Sequence, residues 1–178
     1  MEEKKTTLEN TAAGSGAGNQ VYMGTPAGVI LCVNGLGEVD DPYDLDAYLW
    51  HGYKPDATRV TVPEHMLDEM ESLFDLINYP RATTSLRSFS EDDDAHPQGT
   101  GTRPGNPSNV PRHLTDSDLL EKRGDLATFI IRVQQRANSS WQGRITWVEK
   151  NRTLRFRTII EMVKLVESAL GTASEERQ

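Results

Sequence analysis

Cysteine is almost absent from this chain. Cys32 stands alone among 178 residues. That excludes an internal disulfide framework and a cysteine-based zinc site. Long apolar runs are missing as well. The longest, Gly28 to Val33, is far too short to span a bilayer. Glu2 to Lys5 lead into polar and small residues, not an apolar stretch, so no secretory signal is read and a cytoplasmic location is expected. Apolar residues reach only 36%, so part of the chain is expected to lie outside any packed core. Basic residues are outnumbered, 19 against 27, for a net charge of −8. This excludes a uniformly basic nucleic-acid binder but not a local basic patch.

What is present divides the chain. Residues 1–19 carry no apolar periodicity, and Gly14 to Asn19 read as a flexible tail. Residues 20–82 read as a small α/β segment. Gly28-Val-Ile-Leu-Cys-Val33 is a β-branched run stopped by Asn34-Gly35, a buried strand and a turn. Leu45, Tyr48 and Leu49 fall at helical spacing after Asp41-Pro42, which predicts a short helix closed by Gly52. Pro63 opens a clearer helix, whose apolar face is Met66, Met70, Leu73, Phe74 and Ile77. Pro80 stops it. Residues 83–122 hold Pro97, Pro104, Pro107, Pro111 and the acidic run Glu91 to Asp94, and read as a linker.

Residues 123–171 show three period-two stretches. Phe129, Ile131 and Val133 alternate with Ile130, Arg132 and Gln134. Trp141, Gly143, Ile145 and Trp147 alternate with their own neighbours in the same way, and so do Leu154 and Phe156. Lys150-Asn151 suits a turn between the last two. A helix follows, with Thr158 and Glu161 at capping-box spacing and Gly171 as its expected C-cap. The fold class expected is therefore α+β. A C-terminal three-stranded antiparallel meander plus one helix (βββα) follows a small α/β N-terminal segment. Residues 172–178 read as a second disordered tail. No internal repeat is visible, because the two folded segments differ in their expected element order.

The run Asn138, Trp141, Gln142, Gly143 and Trp147, followed by Phe156, Arg157, Thr158 and Glu161, matches the pattern N-x-[ST]-W-Q-G-x-[IV]-x-W … F-R-[ST]-x-x-E-[LM]. In this it resembles a family of small, uncharacterised proteins common in gut Firmicutes. The resemblance covers about a quarter of the chain. It implies a bacterial origin and supports the βββα reading, and it implies no chemistry.

Charge is distributed unevenly. Residues 1–121 hold 8 basic and 21 acidic side chains, whereas residues 122–164 hold 10 basic and 3 acidic. The alternation projects Arg132, Arg144, Arg155 and Arg157 from the sheet face opposite the helix, with Arg136 and Lys150 at its margins. These four arginines are the candidate partner-binding residues. A solvated face, or one covered by the acidic helix Glu64 to Asp75 or by Glu91 to Asp94, is the plainer explanation. Asn138, Trp141 and Gln142 form a candidate ligand loop, though Trp141 also fits a core anchor, Gly143 a close-approach or bulge position and Asn138 a turn former. The carboxylates Glu38, Asp40, Asp41, Asp44 and Asp46 lack a calcium-loop pattern. His51, His65, His96 and His113 show no zinc-site spacing, Cys32 lies in an apolar strand, and no nucleophile motif exists. No cofactor or metal is expected. The function expected is a non-enzymatic adaptor or regulatory module with a protein partner or a second copy of itself. A nucleic-acid binder using the same face, and a small enzyme with a site between the two parts, are the alternatives.

Overall fold

The computed structural model describes residues 21–37, 44–83, 109–137 and 140–177. The tail 1–19, the acidic run Glu91 to Asp94, Glu38, Asp40, Asp41, His96 and Asn138 lie outside the described residues.

The strands are β1 (Gly28–Leu36), β2 (Leu45–His51), β3 (Thr58–Val60), β4 (Ala82–Thr83), β5 (Ala127–Ala137), β6 (Ser140–Trp147) and β7 (Arg152–Phe156). The helices are α1 (Pro63–Ile77), α2 (Asp116–Leu120) and α3 (Ile159–Glu175). All seven strands belong to one sheet, in the order β3-β2-β1-β5-β6-β7. Those six pair antiparallel. The short β4 adds in parallel at the far end of β5, Ala82 opposite Arg136.

This corrects the expected fold class. The C-terminal meander is not a separate unit behind a small α/β segment; β5 pairs with β1 over Gly28–Val33 and closes one continuous sheet. The predicted helix after Asp41-Pro42 is also corrected. Residues 45–51 are the strand β2, whose buried positions Leu45, Ala47, Leu49 and His51 recur every second residue. Spacings of three and four among Leu45, Tyr48 and Leu49 imitated a helix. The absence of an internal repeat is corrected with it. Once β2 is a strand and β3 is added, both halves run βββα, and they meet antiparallel at β1 and β5.

One face of the sheet carries both long helices. α1 buries Met66, Met70, Leu73, Phe74 and Ile77, the stripe expected from spacing. Asn78 ends it in the left-handed conformation. α3 starts at Thr158, whose hydroxyl accepts from the Glu161 N–H at 3.0 Å. The Glu161 carboxylate reaches the Arg157 N–H, at 2.7 Å, and not that of Thr158. Gly171 does not cap α3, which continues to Glu175 and buries Ala173. Against these helices lie Val29, Leu31, Val33, Leu49, Phe129, Ile131, Trp141, Ile145 and Phe156. Trp141 meets Phe74 edge-to-face at 5.2 Å and so joins the C-terminal half to α1.

A smaller cluster covers part of the other face: Met23, Ile30, Cys32, Leu119 and Ile130. α2, within the span read as a linker, supplies Leu119 and is closed by a Thr115/Asp118 capping box. Covered on both faces, β1 is buried from Gly28 to Val33, which is why it reads as an unbroken apolar run.

Candidate functional site

The face opposite α1 and α3 is open toward β6 and β7. Residues directly opposed across a ladder share a side of the sheet. Arg132 faces Arg144, and Arg144 faces Arg155, so β5, β6 and β7 contribute a transverse row of three guanidinium groups. Arg157 follows just past the end of β7. Arg144, Arg155 and Arg157 are exposed. Among the described residues, no carboxylate makes an ion pair with any of these four arginines.

Arg132 differs from the other three. It is only 8% exposed. It donates to the Tyr22 carbonyl at 3.2 Å and to Thr146 Oγ1 at 2.6 Å, and its guanidinium lies 4.9 Å from the centre of the Tyr22 ring. Its buried Nε–H has no hydrogen-bond partner. Burial pushes its pKa below the usual arginine value, and the neighbouring charge of Arg144 adds to that effect. Thr146 is itself anchored to Thr153 at 2.8 Å.

Arg136 does not sit at the margin of this face. A bulge between Val133 and Gln135 shifts the register, and Arg136 points to the helix side. There it is buried and paired with Glu71 at 2.6 Å and Asp75 at 2.8 Å. The acidic helix α1 therefore covers Arg136 and leaves the open-face row uncovered. Lys150 turns away as well, to Glu176 at 2.7 Å and the Trp147 ring at 5.6 Å. Of the candidate ligand loop, Asn138 lies outside the described residues, Trp141 is buried against Phe74, and Gln142 is exposed. Gly143 is a close-approach position, since a β-carbon there would strike the Arg132 carbonyl oxygen and the Phe156 ring.

Other titratable groups have structural settings. His51 is buried at the end of β2, with Nδ1 accepting from the Tyr53 N–H at 3.2 Å and Nε2 facing Glu69 Oε1 at 3.2 Å. Burial lowers its pKa, against the pull of Glu69, and favours the neutral ring. Burial alone would raise the Glu69 pKa, but hydrogen bonds from Lys54, Thr58 and His51 hold it below the usual carboxylate value. The group ties β2 to α1, and among the described residues no hydroxyl or thiol nucleophile is bonded to His51. Burial lifts the Cys32 thiol to about 11, which leaves it un-ionised and poorly reactive. Among the described residues, no three of His, Cys, Asp or Glu gather to hold a metal ion.

Two apolar clefts open on the helix side. One, of about 210 Å³, lies between α3 and the sheet beside Phe129, Trp147, Leu154 and Leu165. The other, of about 180 Å³, lies between α1 and α3 over Leu31 and Leu45. Neither brings a nucleophile and a base into hydrogen-bond reach. No described helix is long and apolar enough to cross a membrane.

Tyr22, Tyr79 and Gln134 line a depression with Arg132 and Arg144, and no motif or periodicity in the sequence marks them. Thr146 carried a usable signal, because it shares the strand parity of Arg144. No protein-family model, curated protein or solved structure matches this chain.

Proposed function

We propose that the chain is a non-enzymatic binding module that docks an acidic protein partner on the open sheet face. The supporting observation is the row Arg144–Arg155, with Arg157 beyond it. These cations are exposed on the face opposite α1 and α3, and none is engaged by a described carboxylate. Exposed, unpaired charge costs little to keep and attracts complementary surfaces, raising on-rate and selecting partner sign. Base stacking on a sheet requires exposed aromatic rings among the cations. Here Trp141 and Phe156 are buried on the other side, and Tyr22 and Tyr79 stand at the Arg132 end of the row and not among Arg155 and Arg157, so a protein partner is favoured over nucleic acid. The sequence resemblance supports a bacterial setting.

The test uses wild type and the Arg144→Glu/Arg155→Glu variant as paired baits in a lysate of the source cells, with and without nuclease. A protein retained by wild type alone, in defined stoichiometry and resistant to nuclease, is the expected result. A nucleic acid retained by wild type alone, with a steep salt dependence, would replace this reading. Identical recovery by both baits would refute it.

A further inference from the structure

We infer that the depression beside Arg132 and Arg144 is a binding site for a phosphate group. Its origin is a gap in the sheet. β1 stops pairing with β5 at Gly28 opposite Arg132, and β4 starts at Ala82 opposite Arg136. Between those points no described strand pairs with that edge of β5, and the bulge at Val133 to Gln135 falls in the same place. The depression, about 80 Å³, opens there and is lined by Tyr22, Thr25, Tyr79, Arg132, Gln134 and Arg144. That is room for one group of phosphate size, given about 30 Å³ for a water in the liquid.

Charge then identifies the occupant. A buried cation is costly unless a counter-charge or a full set of hydrogen bonds compensates it. Arg132 is 8% exposed, has no described acidic partner, and keeps its Nε–H without an acceptor. Its cross-strand neighbour is a second arginine. Two adjacent guanidinium groups repel each other until an anion lies between them. A carboxylate carries one negative charge. A phosphate monoester carries about 1.5 to 2 at neutral pH, with more acceptor oxygens. Gln134, Thr25 and the two tyrosines add donor-bearing side chains to the lining. Arginine forks match phosphate oxygens in pairs. The site shares Arg144 with the partner-binding row but goes beyond that reading, since Arg155 and Arg157 do not line it.

The test is calorimetric titration of the full chain at constant ionic strength, with inorganic phosphate, phosphoserine and acetate in separate runs. Wild type is expected to bind one phosphate group per chain, saturably, and at least tenfold more tightly than acetate. Arg144→Gln, an exposed substitution, should weaken this at least tenfold, and Arg155→Gln should leave it unchanged. Arg132→Lys keeps the charge without the fork and should weaken it as well. Binding of inorganic phosphate and phosphoserine alike would place recognition in the group itself. Tighter binding of phosphoserine alone would assign the site to a phosphoester. Absence of saturable heat, equal affinity for acetate, or an unaffected Arg144→Gln would overturn the inference. Arg155→Glu alone, outside the depression, is the bait that tests docking separately: loss of the partner there with phosphate binding intact, or the reverse, lets either proposal fail while the other stands.

Discussion

The edge-to-face contact between Phe74 and Trp141 tests whether the two halves unfold as one body. Phe74 is fully buried on α1, Trp141 is 4% exposed on β6, and their ring centres are 5.2 Å apart. Truncating a buried Phe or Trp to alanine costs about 3–5 kcal/mol, close to the whole stability of many domains. Leucine is the gentler probe, and each of Phe74→Leu and Trp141→Leu should cost about 1–3 kcal/mol. The ring pair contributes about 0.5–1.5 kcal/mol beyond buried area. The double variant should therefore lose less than the sum of the singles by about that amount. Urea unfolding followed by tryptophan fluorescence and far-ultraviolet circular dichroism measures all four proteins. Coincident single transitions with an unchanged slope are expected, because β1 and β5 form the middle of one sheet. A coupling near zero would refute the packing. Separate transitions for the two probes would refute the single body.

The remaining predictions concern two glycines and a histidine. Gly143→Ala forces a β-carbon against the Arg132 backbone and to 2.8 Å from the Phe156 ring, and should cost about 2–3 kcal/mol or more. For a chain of this length, that lowers Tm by roughly 4–12 °C in a thermal melt. Gly171→Ala meets nothing within 4 Å and sits inside α3, so it should instead stabilise by about 0.5–1 kcal/mol; a loss would show that Gly171 caps the helix. For His51, burial holds the folded pKa below its ordinary 6.5. The unfolded chain therefore takes up the proton first, and stability is full above about pH 6.5 and falls as the pH drops from there toward the lowered folded value. Glu69, also lowered, adds its loss only further down, as the pH falls through its own folded value below 4.5. Urea midpoints measured from pH 8 to 5 should decline in wild type and stay flatter in His51→Gln, and equal slopes would refute the assignment.

What could be read from the sequence depended on local period. The apolar face of α1 and the alternation along β5, β6 and β7 are set by side chains three to four, or two, residues apart. β2 failed because its inward set includes Ala47 and His51, which are weak apolar markers, while outward Tyr48 is aromatic. The pairing of β1 with β5 joins residues about a hundred positions apart, and no local pattern encodes it. At the site, parity placed Arg132, Arg144 and Arg155 on one face. It also placed Arg136 there, since the bulge between Val133 and Gln135 that turns Arg136 inward leaves no trace in an alternating reading. The burial of Arg132 depends on residues near Tyr22, which are remote in sequence.

A simpler account exists for some of these arginines. β7 is an outer strand of the sheet, and charged side chains on such strands discourage pairing between copies. Arg155 fits that role without any partner. Arg144 is on β6, which is paired on both sides, and gains nothing from guarding an edge. Arg132 is on β5, next to the centre of the sheet, where an apolar residue like its neighbours Ile130 and Ile131 would pack at no electrostatic cost. Edge protection thus explains the outermost member of the row and fails for the two further in. Those two share the polar depression, and compensation by a bound anion is the explanation that covers both.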